Sequence, residues 1–157
     1  MDLTNYISAA PEMTLLGLIC VVLVADLFVP NERRVLTYWM ALASLGATLW
    51  VLLSTAPDGR IEVFSGSYVS DGLSQALKIA VTGFVALAFV YARDYLRANE
   101  LHKGEFYILG LFGLLGMMIM ISANSLLTMY LGLETLALSQ YALVAFDRNN
   151  RRRPSPR

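Results

Sequence analysis

"MYLGLETLALSQYALVAF", Met129 to Phe146, is a run apolar enough to enter a bilayer, and it carries one acid, Glu134, in its first third. A charged side chain near the centre of a spanning helix costs about 2.5 to 3.5 kcal/mol on insertion scales. Something in the protein has to offset that cost.

The rest of the chain is of the same kind. Of its 157 residues 57% are hydrophobic and 15% charged, and mean hydropathy is +0.57. A soluble domain holds about 45 to 50% apolar and about 25% charged residues, so that class is excluded. Five apolar runs reach spanning length: Met13 to Val29, Val35 to Leu53, Leu73 to Tyr91, Phe106 to Ile121 and Leu126 to Phe146. The first and fourth need their flanks to cross about 30 Å of hydrocarbon. Pro11 suits a first helical turn, and Pro30-Asn31, "STAPDGR" at Ser54 to Arg60 and "SAN" at Ser122 to Asn124 punctuate the boundaries. The expected fold is an all-α integral membrane bundle over residues 1–146, followed by a basic cytoplasmic tail at 147–157.

Net charge is zero, so the electrostatic message lies in placement. Arg33, Arg34, Arg93, Arg97, Lys103, Arg148 and Arg151 to Arg153 fall in alternate connections, whereas the other side holds only Arg60 with Asp2, Glu12, Asp58, Glu62 and Asp71. The positive-inside rule then sets the N-terminus outside and the C-terminus in the cytoplasm. Tyr38, Trp39, Trp50, Tyr91, Tyr95 and Tyr107 lie near span ends, as interfacial aromatics do. "MDLTNYISAAPEM" lacks the basic start of a signal peptide, so the first run reads as an uncleaved span. The longest connection contains "RIEVFSGSYVSDG", whose weak alternation suits a short surface hairpin. No nucleotide loop, HExxH, triad spacing or nucleic-acid patch appears; the expected partner is the lipid bilayer and not nucleic acid. The lone Cys20 reads as core filling.

On a 3.6-residue helix Leu127, Tyr130, Glu134, Ala137, Leu138 and Tyr141 share one face, while Thr128, Gly132, Thr135 and Ser139 share another. The second stripe is small and hydroxylated, which suits close helix packing in a bilayer, and both faces are expected to be buried against protein. Glu134 has two readings: an ion or proton site whose affinity burial and a nearby cation would tune, or a structural carboxyl satisfied by a neighbouring helix. Lys78, about 10 Å of helix rise beyond Asp71, is either the cation that faces Glu134 or a lysine that snorkels to the surface. Asp26 is placed to pair with interfacial arginine such as Arg33. Gly110, Gly113 and Gly116 recur every third residue and predict tight helix contact. The methionines of "GMMIM", Gly116 to Met120, read as core or lipid-facing filler, and His102 as a solvated loop residue.

The block "GEFYILGLFGLLGMMIMISANSLLTMYLGLETLALSQYALVAFDRNN", Gly104 to Asn150, resembles the fourth and fifth transmembrane helices of subunit N of bacterial NADH-quinone oxidoreductase, respiratory complex I. "APEM" and "VLVADLF" in the first span, and "DGLSQALK" and "YARDYL" around the third, extend the resemblance through Asn150. It implies an antiporter-like subunit of the membrane arm in the bacterial inner membrane, partnered by other membrane-arm subunits. The implied activity is proton translocation coupled to electron transfer from NADH to quinone. NADH, FMN, iron–sulfur clusters and quinone are expected elsewhere in the complex, with no cofactor bound by this chain and no independent catalysis from it. The family's proton-pathway glutamate matches Glu134, and a lysine often seen in its third helix matches Lys78.

Family members continue past the fifth helix with an "EAAMKY"-like segment into a bundle of about fourteen helices, where this chain reads "DRNNRRRPSPR". Arg151 to Arg157 depart from the family, so a truncated or frame-shifted product is the expectation here. Three rival functions stay open beside the leading one: a subunit of a cation/proton antiporter, a non-transporting membrane scaffold, and a small exporter that dimerises around Glu134.

Overall fold

Pro11 lies in the first turn of the first long helix, where its missing N–H costs no hydrogen bond and its fixed φ suits the helix. The computed structural model describes residues 3–29, 35–98 and 104–151. A short α1 (Leu3–Ser8) leads into α2 (Ala10–Phe28), and α3 (Val35–Ser54) returns antiparallel to it. The hairpin of β1 (Ile61–Val63) and β2 (Tyr68–Ser70) precedes α4 (Gly72–Ala98), α5 (Gly104–Ile121) and α6 (Leu126–Arg151). The hairpin pairs antiparallel, with Glu62 opposite Val69. Arg33, Arg34, His102, Lys103 and residues 152–157 lie outside the described residues, and so do the expectations attached to them.

Among the described residues four helices are long and apolar enough to cross a membrane: Ala10–Phe28, Val35–Ser54, Gly72–Leu96 and Gly104–Ile121. The expected fifth run forms α6, which has 26 residues and so about 39 Å of helix rise. It is not among those four. It continues past Phe146 to Arg151, into the segment expected to be tail. The chain is an all-α integral membrane protein apart from the hairpin.

Within the spans hydroxyl side chains turn back onto their own helix. Ser44 donates to the Met40 carbonyl at 2.8 Å, Thr82 to that of Lys78 at 2.7 Å and Ser139 to that of Thr135 at 2.7 Å. This satisfies groups that would otherwise face hydrocarbon.

The bundle is organised around α5, which packs on α2, α3, α4 and α6. Tyr107, Leu111, Leu114 and Met118 on it are fully buried. Glycine permits that crowding. A Cβ added at Gly110 would lie 2.6 Å from the Phe89 ring of α4, and one at Gly116 would lie 2.8 Å from the Leu136 backbone nitrogen and 2.9 Å from the Gly132 carbonyl oxygen of α6. Gly132 faces Gly116 in return, its Cβ position 3.0 Å from the Gly116 carbonyl oxygen. The tight contact expected of the glycine series is present at Gly110 and Gly116, backbone against backbone at the latter, while a Cβ at Gly113 would make only an ordinary contact, 3.8 Å from Leu136. Of the stripes on α6, the small one packs as expected: Gly132 and Ser139 are buried.

Several side chains sit elsewhere than expected. Cys20 is exposed, on an outward patch with Val21, Val24 and Ala25, because the inward face of α2 is taken by Leu15, Ile19 and Val22. Trp39, Trp50, Tyr91 and Tyr95 are exposed near helix ends, but Tyr38 and Tyr107 turn inward, edge to face at 5.5 Å, with the Arg93 guanidinium 4.9 Å from the Tyr38 ring. Asp26 accepts a 2.6 Å hydrogen bond from Thr37 and lies against Gly104 at the start of α5; the pairing expected with Arg33 falls outside the described residues.

Gly116→Ala should separate α5 from α6, because neither backbone can move aside as a side-chain tip could. The expected loss is about 1 to 3 kcal/mol, read as a lowered thermal unfolding midpoint in detergent. Gly17→Ala, where nothing lies within 4 Å of the added carbon, is the control and should leave that midpoint near the parent's.

Candidate functional site: a buried ion pair beneath the hairpin

Asp71 fixes where α4 begins. Its Oδ1 accepts from the Ser74 backbone N–H at 2.7 Å, and its own N–H donates to Ser74 Oγ at 3.0 Å, a reciprocal cap. The Ser74 backbone N–H, more than the charges of Arg60 and Lys78, holds the Asp71 carboxyl below the usual carboxylate range. With the start of α4 set, Lys78 points into the bundle, and only 2% of it is exposed.

A lysine at this depth ordinarily extends its ammonium toward the nearer surface. Lys78 does reach that way, and what it meets is protein. Its Nζ forms an ion pair with Oε1 of Glu12, which stands in the first turn of α2 and is 8% exposed. The same Nζ donates to Tyr68 Oη at 2.7 Å and lies 4.9 Å from the centre of that ring. Tyr68 Oη in turn donates a hydrogen bond to the Ser8 carbonyl at 3.1 Å. Burial first, and the Glu12 charge second, push the Tyr68 hydroxyl well above its ordinary value, so it stays a neutral donor.

The hairpin is held over this pair by the α5–α6 connection. Val69 N–H donates to the Ser122 carbonyl at 2.8 Å, Asn124 N–H to the Ser67 carbonyl at 3.0 Å, and the Asn124 side chain to the Gly66 carbonyl at 2.7 Å. Phe64, Ser65 and Gly66 take the left-handed backbone that closes the turn, with φ of 55°, 58° and 81°. At the two non-glycine positions this costs on the order of 1 to 3 kcal/mol each. Val63 and Tyr68 pack with Ala9 as a small second core. The expected surface hairpin is present, and it is a cover.

Glu134 is elsewhere. It is half-buried on α6 and, among the described residues, makes no hydrogen bond or ion pair. Leu127, Tyr130, Leu138 and Tyr141 on its face are all exposed, so of the two faces expected to be buried against protein this one is left uncovered by the described helices. Of the two readings of Lys78, a cation facing Glu134 or a lysine reaching toward the outer surface, neither named the partner observed, which is Glu12. Glu12 had been assigned only to the outer surface. The readable signal was depth: Glu12 and Lys78 both stand within two turns of the hairpin end of their helices, and a lysine stem bridges the difference.

No family model matches the chain. A curated relative from Thioalkalivibrio sulfidiphilus, NADH-quinone oxidoreductase subunit N, is 47% identical over 152 residues, which is 96% of this chain and 32% of the relative. This chain resembles a part of NADH-quinone oxidoreductase subunit N. Subunit N of Alkalilimnicola ehrlichii is 51% identical over 145 residues, 92% of this chain and 30% of that protein. Subunit N of Neisseria gonorrhoeae is 40% identical over 146 residues, 93% of this chain and 30% of that protein. The chain thus spans about a third of the length of the subunit N relatives it matches.

Removing one member of the buried pair strands the other charge. Lys78→Met or Glu12→Gln alone should destabilise the chain by about 3 to 5 kcal/mol, and the two together should recover most of that loss. Chemical unfolding of the four proteins measures the coupling. At the cap, Asp71→Ala should cost about 0.5 to 2 kcal/mol near neutral pH, read by faster hydrogen exchange in the first turns of α4. Because folding lowers the affinity of Asp71 for its proton, the cap contributes above the ordinary carboxylate pKa and is lost as pH falls through the lowered value. The difference between Asp71→Ala and parent should therefore shrink in acid.

Proposed function

We propose that this chain is part of a membrane-arm subunit of a proton-translocating NADH:quinone oxidoreductase, and that Glu134 is its proton-carrying carboxyl. The observation that carries this reading is the 40 to 51% identity to subunit N over more than nine-tenths of the chain. The layout of α6 supports it: one stripe is occupied by α5, and the stripe with Glu134, Tyr130 and Tyr141 stays open. Further helices of a complete subunit would cover that second face. Once covered, the carboxyl would lose water, which favours its neutral form, and an approaching cation would favour release of the proton.

On this reading the chain lies in the bacterial inner membrane with its N-terminus and hairpin outside, as the alternating basic residues favour. Its partners are other membrane-arm subunits, and the redox groups that take electrons from NADH to quinone belong to other subunits. Catalysis is a property of the assembled complex. Lys78 is held by Glu12 here, so the cation that serves Glu134 is sought outside this chain.

Glu134→Gln, placed in the complete subunit within the assembled complex, keeps the side-chain volume and removes the titrating proton. The expected outcome is assembly at the parent's level with proton pumping per NADH oxidised lowered several-fold in reconstituted vesicles. Unchanged pumping would remove Glu134 from the pathway and leave the scaffold reading in its place.

A further inference from the structure

A lysine–glutamate pair kept only as a staple would have its polar atoms satisfied, since each buried oxygen without a hydrogen costs free energy. The pair beneath the hairpin is incomplete in that sense. Glu12 Oε1 meets the Lys78 ammonium. Glu12 Oε2 is buried and has no hydrogen-bond partner among the described residues, and the Ser122 hydroxyl oxygen is buried in the same condition. Both groups are close enough to the Tyr68 hydroxyl to act on it. One carboxylate oxygen, two hydroxyls and an ammonium are thus buried together beneath the hairpin, with an acceptor left without a donor among the described residues.

We propose that Glu12, countered by Lys78 and covered by Tyr68, is a second proton-holding site of this chain, at the hairpin end of the bundle and separate from Glu134. The inference rests on the proton-translocation reading above. In the loading step a proton binds Glu12 Oε2, forming one O–H bond and turning the carboxylate neutral. The new O–H can donate to Ser122 or Tyr68, giving the open oxygens a hydrogen to share. Lys78 keeps its three protons and its charge, and its ammonium leans on the Tyr68 hydroxyl and ring in place of the lost counter-charge. Release of the proton restores the ion pair. No other atom changes its bonds.

The charged and titratable groups facing the Glu12 site come from α4, from Asp71 just before it, and from β2. Lys78 approaches from α4 and Tyr68 from β2, while Asp71 acts on Lys78 from the start of α4 and is itself under the influence of Arg60. The hairpin is the part that separates this compartment from the aqueous side, and Tyr68, through the Ser8 carbonyl, is the only side chain in the cluster whose hydrogen bonds lead outward from the pair among the described residues.

The test uses the complete complex in sealed vesicles, with NADH oxidation, proton pumping and the amount of assembled complex measured for Glu12→Gln, for Glu12→Gln with Lys78→Met, and for Tyr68→Phe. The double variant has no stranded charge, so its assembly is expected to lie nearer the parent's than that of the single variant. Expected is several-fold lower pumping per NADH in the double variant at the parent's level of assembly, and a pH profile of pumping shifted in Tyr68→Phe. A double variant that assembles and pumps like the parent overturns the proposal, because the pair is then a staple. Should the double variant fail to assemble, Tyr68→Phe decides, and a pH profile superimposable on the parent's overturns it. Glu134→Gln separates the two ideas. If it abolishes pumping while the double variant pumps normally, only the Glu12 site falls; if both pump normally, the proton-translocation reading falls with it.

Discussion

Lys78 carries its charge six residues inside a helix whose surroundings are apolar, and the hairpin end of the molecule is arranged around that fact. An ammonium taken out of water costs several kcal/mol unless a counter-charge and hydrogen bonds replace what water supplied. Glu12 provides the charge and Tyr68 the hydrogen bond and ring face. Each requirement places an element. Glu12 needs α2 to begin where it does, behind Pro11, and Tyr68 needs the hairpin folded inward over the bundle. The hairpin in turn needs the α5–α6 connection, whose backbone groups pair with it. A strained turn at Phe64 and Ser65 is tolerated because so many bonds fix what lies on either side of it.

A second constraint governs the middle of the bundle. Lipid offers no hydrophobic force to press one helix on another, so association depends on how closely backbones approach. α5 has glycine wherever a neighbour comes nearest: Gly104 against Asp26, Gly110 against Phe89 and Gly116 against Gly132. That lets one short helix touch four others. The consequence for α6 is asymmetry, with its small stripe consumed by α5 and its larger stripe, with Glu134, turned away.

The two carboxyls of interest therefore stand in opposite circumstances. Glu12 is enclosed and paired with a cation; Glu134 is half-buried and paired with nothing among the described residues. A carboxyl that exchanges protons needs its two forms close in free energy, and burial without a partner or burial against a single cation are both ways to tune that balance. Glu12 has its cation within the described residues, whereas the open face of Glu134 is the one that the proposed further helices would cover.

By itself the sequence determined the five long helices, though not the short α1, together with the hairpin, the close contact at Gly116 and the likeness to subunit N. These depend on short-range regularities: apolar run length against bilayer thickness, turn residues, a glycine period and word-for-word similarity. It also marked Lys78 and Glu134 as unusual, since a charge in an apolar run is visible without coordinates. What only the tertiary structure decided was the pairing. Lys78 could have faced Glu134 from α6 or Glu12 from α2, and a one-dimensional reading contains depth but not the angle between helices. The exposure of Cys20, the inward turn of Tyr38 and Tyr107, and the bond from Thr37 to Asp26 were hidden for the same reason. Which face of a helix meets protein depends on which neighbour can approach most closely, and that was decided by the glycines of α5.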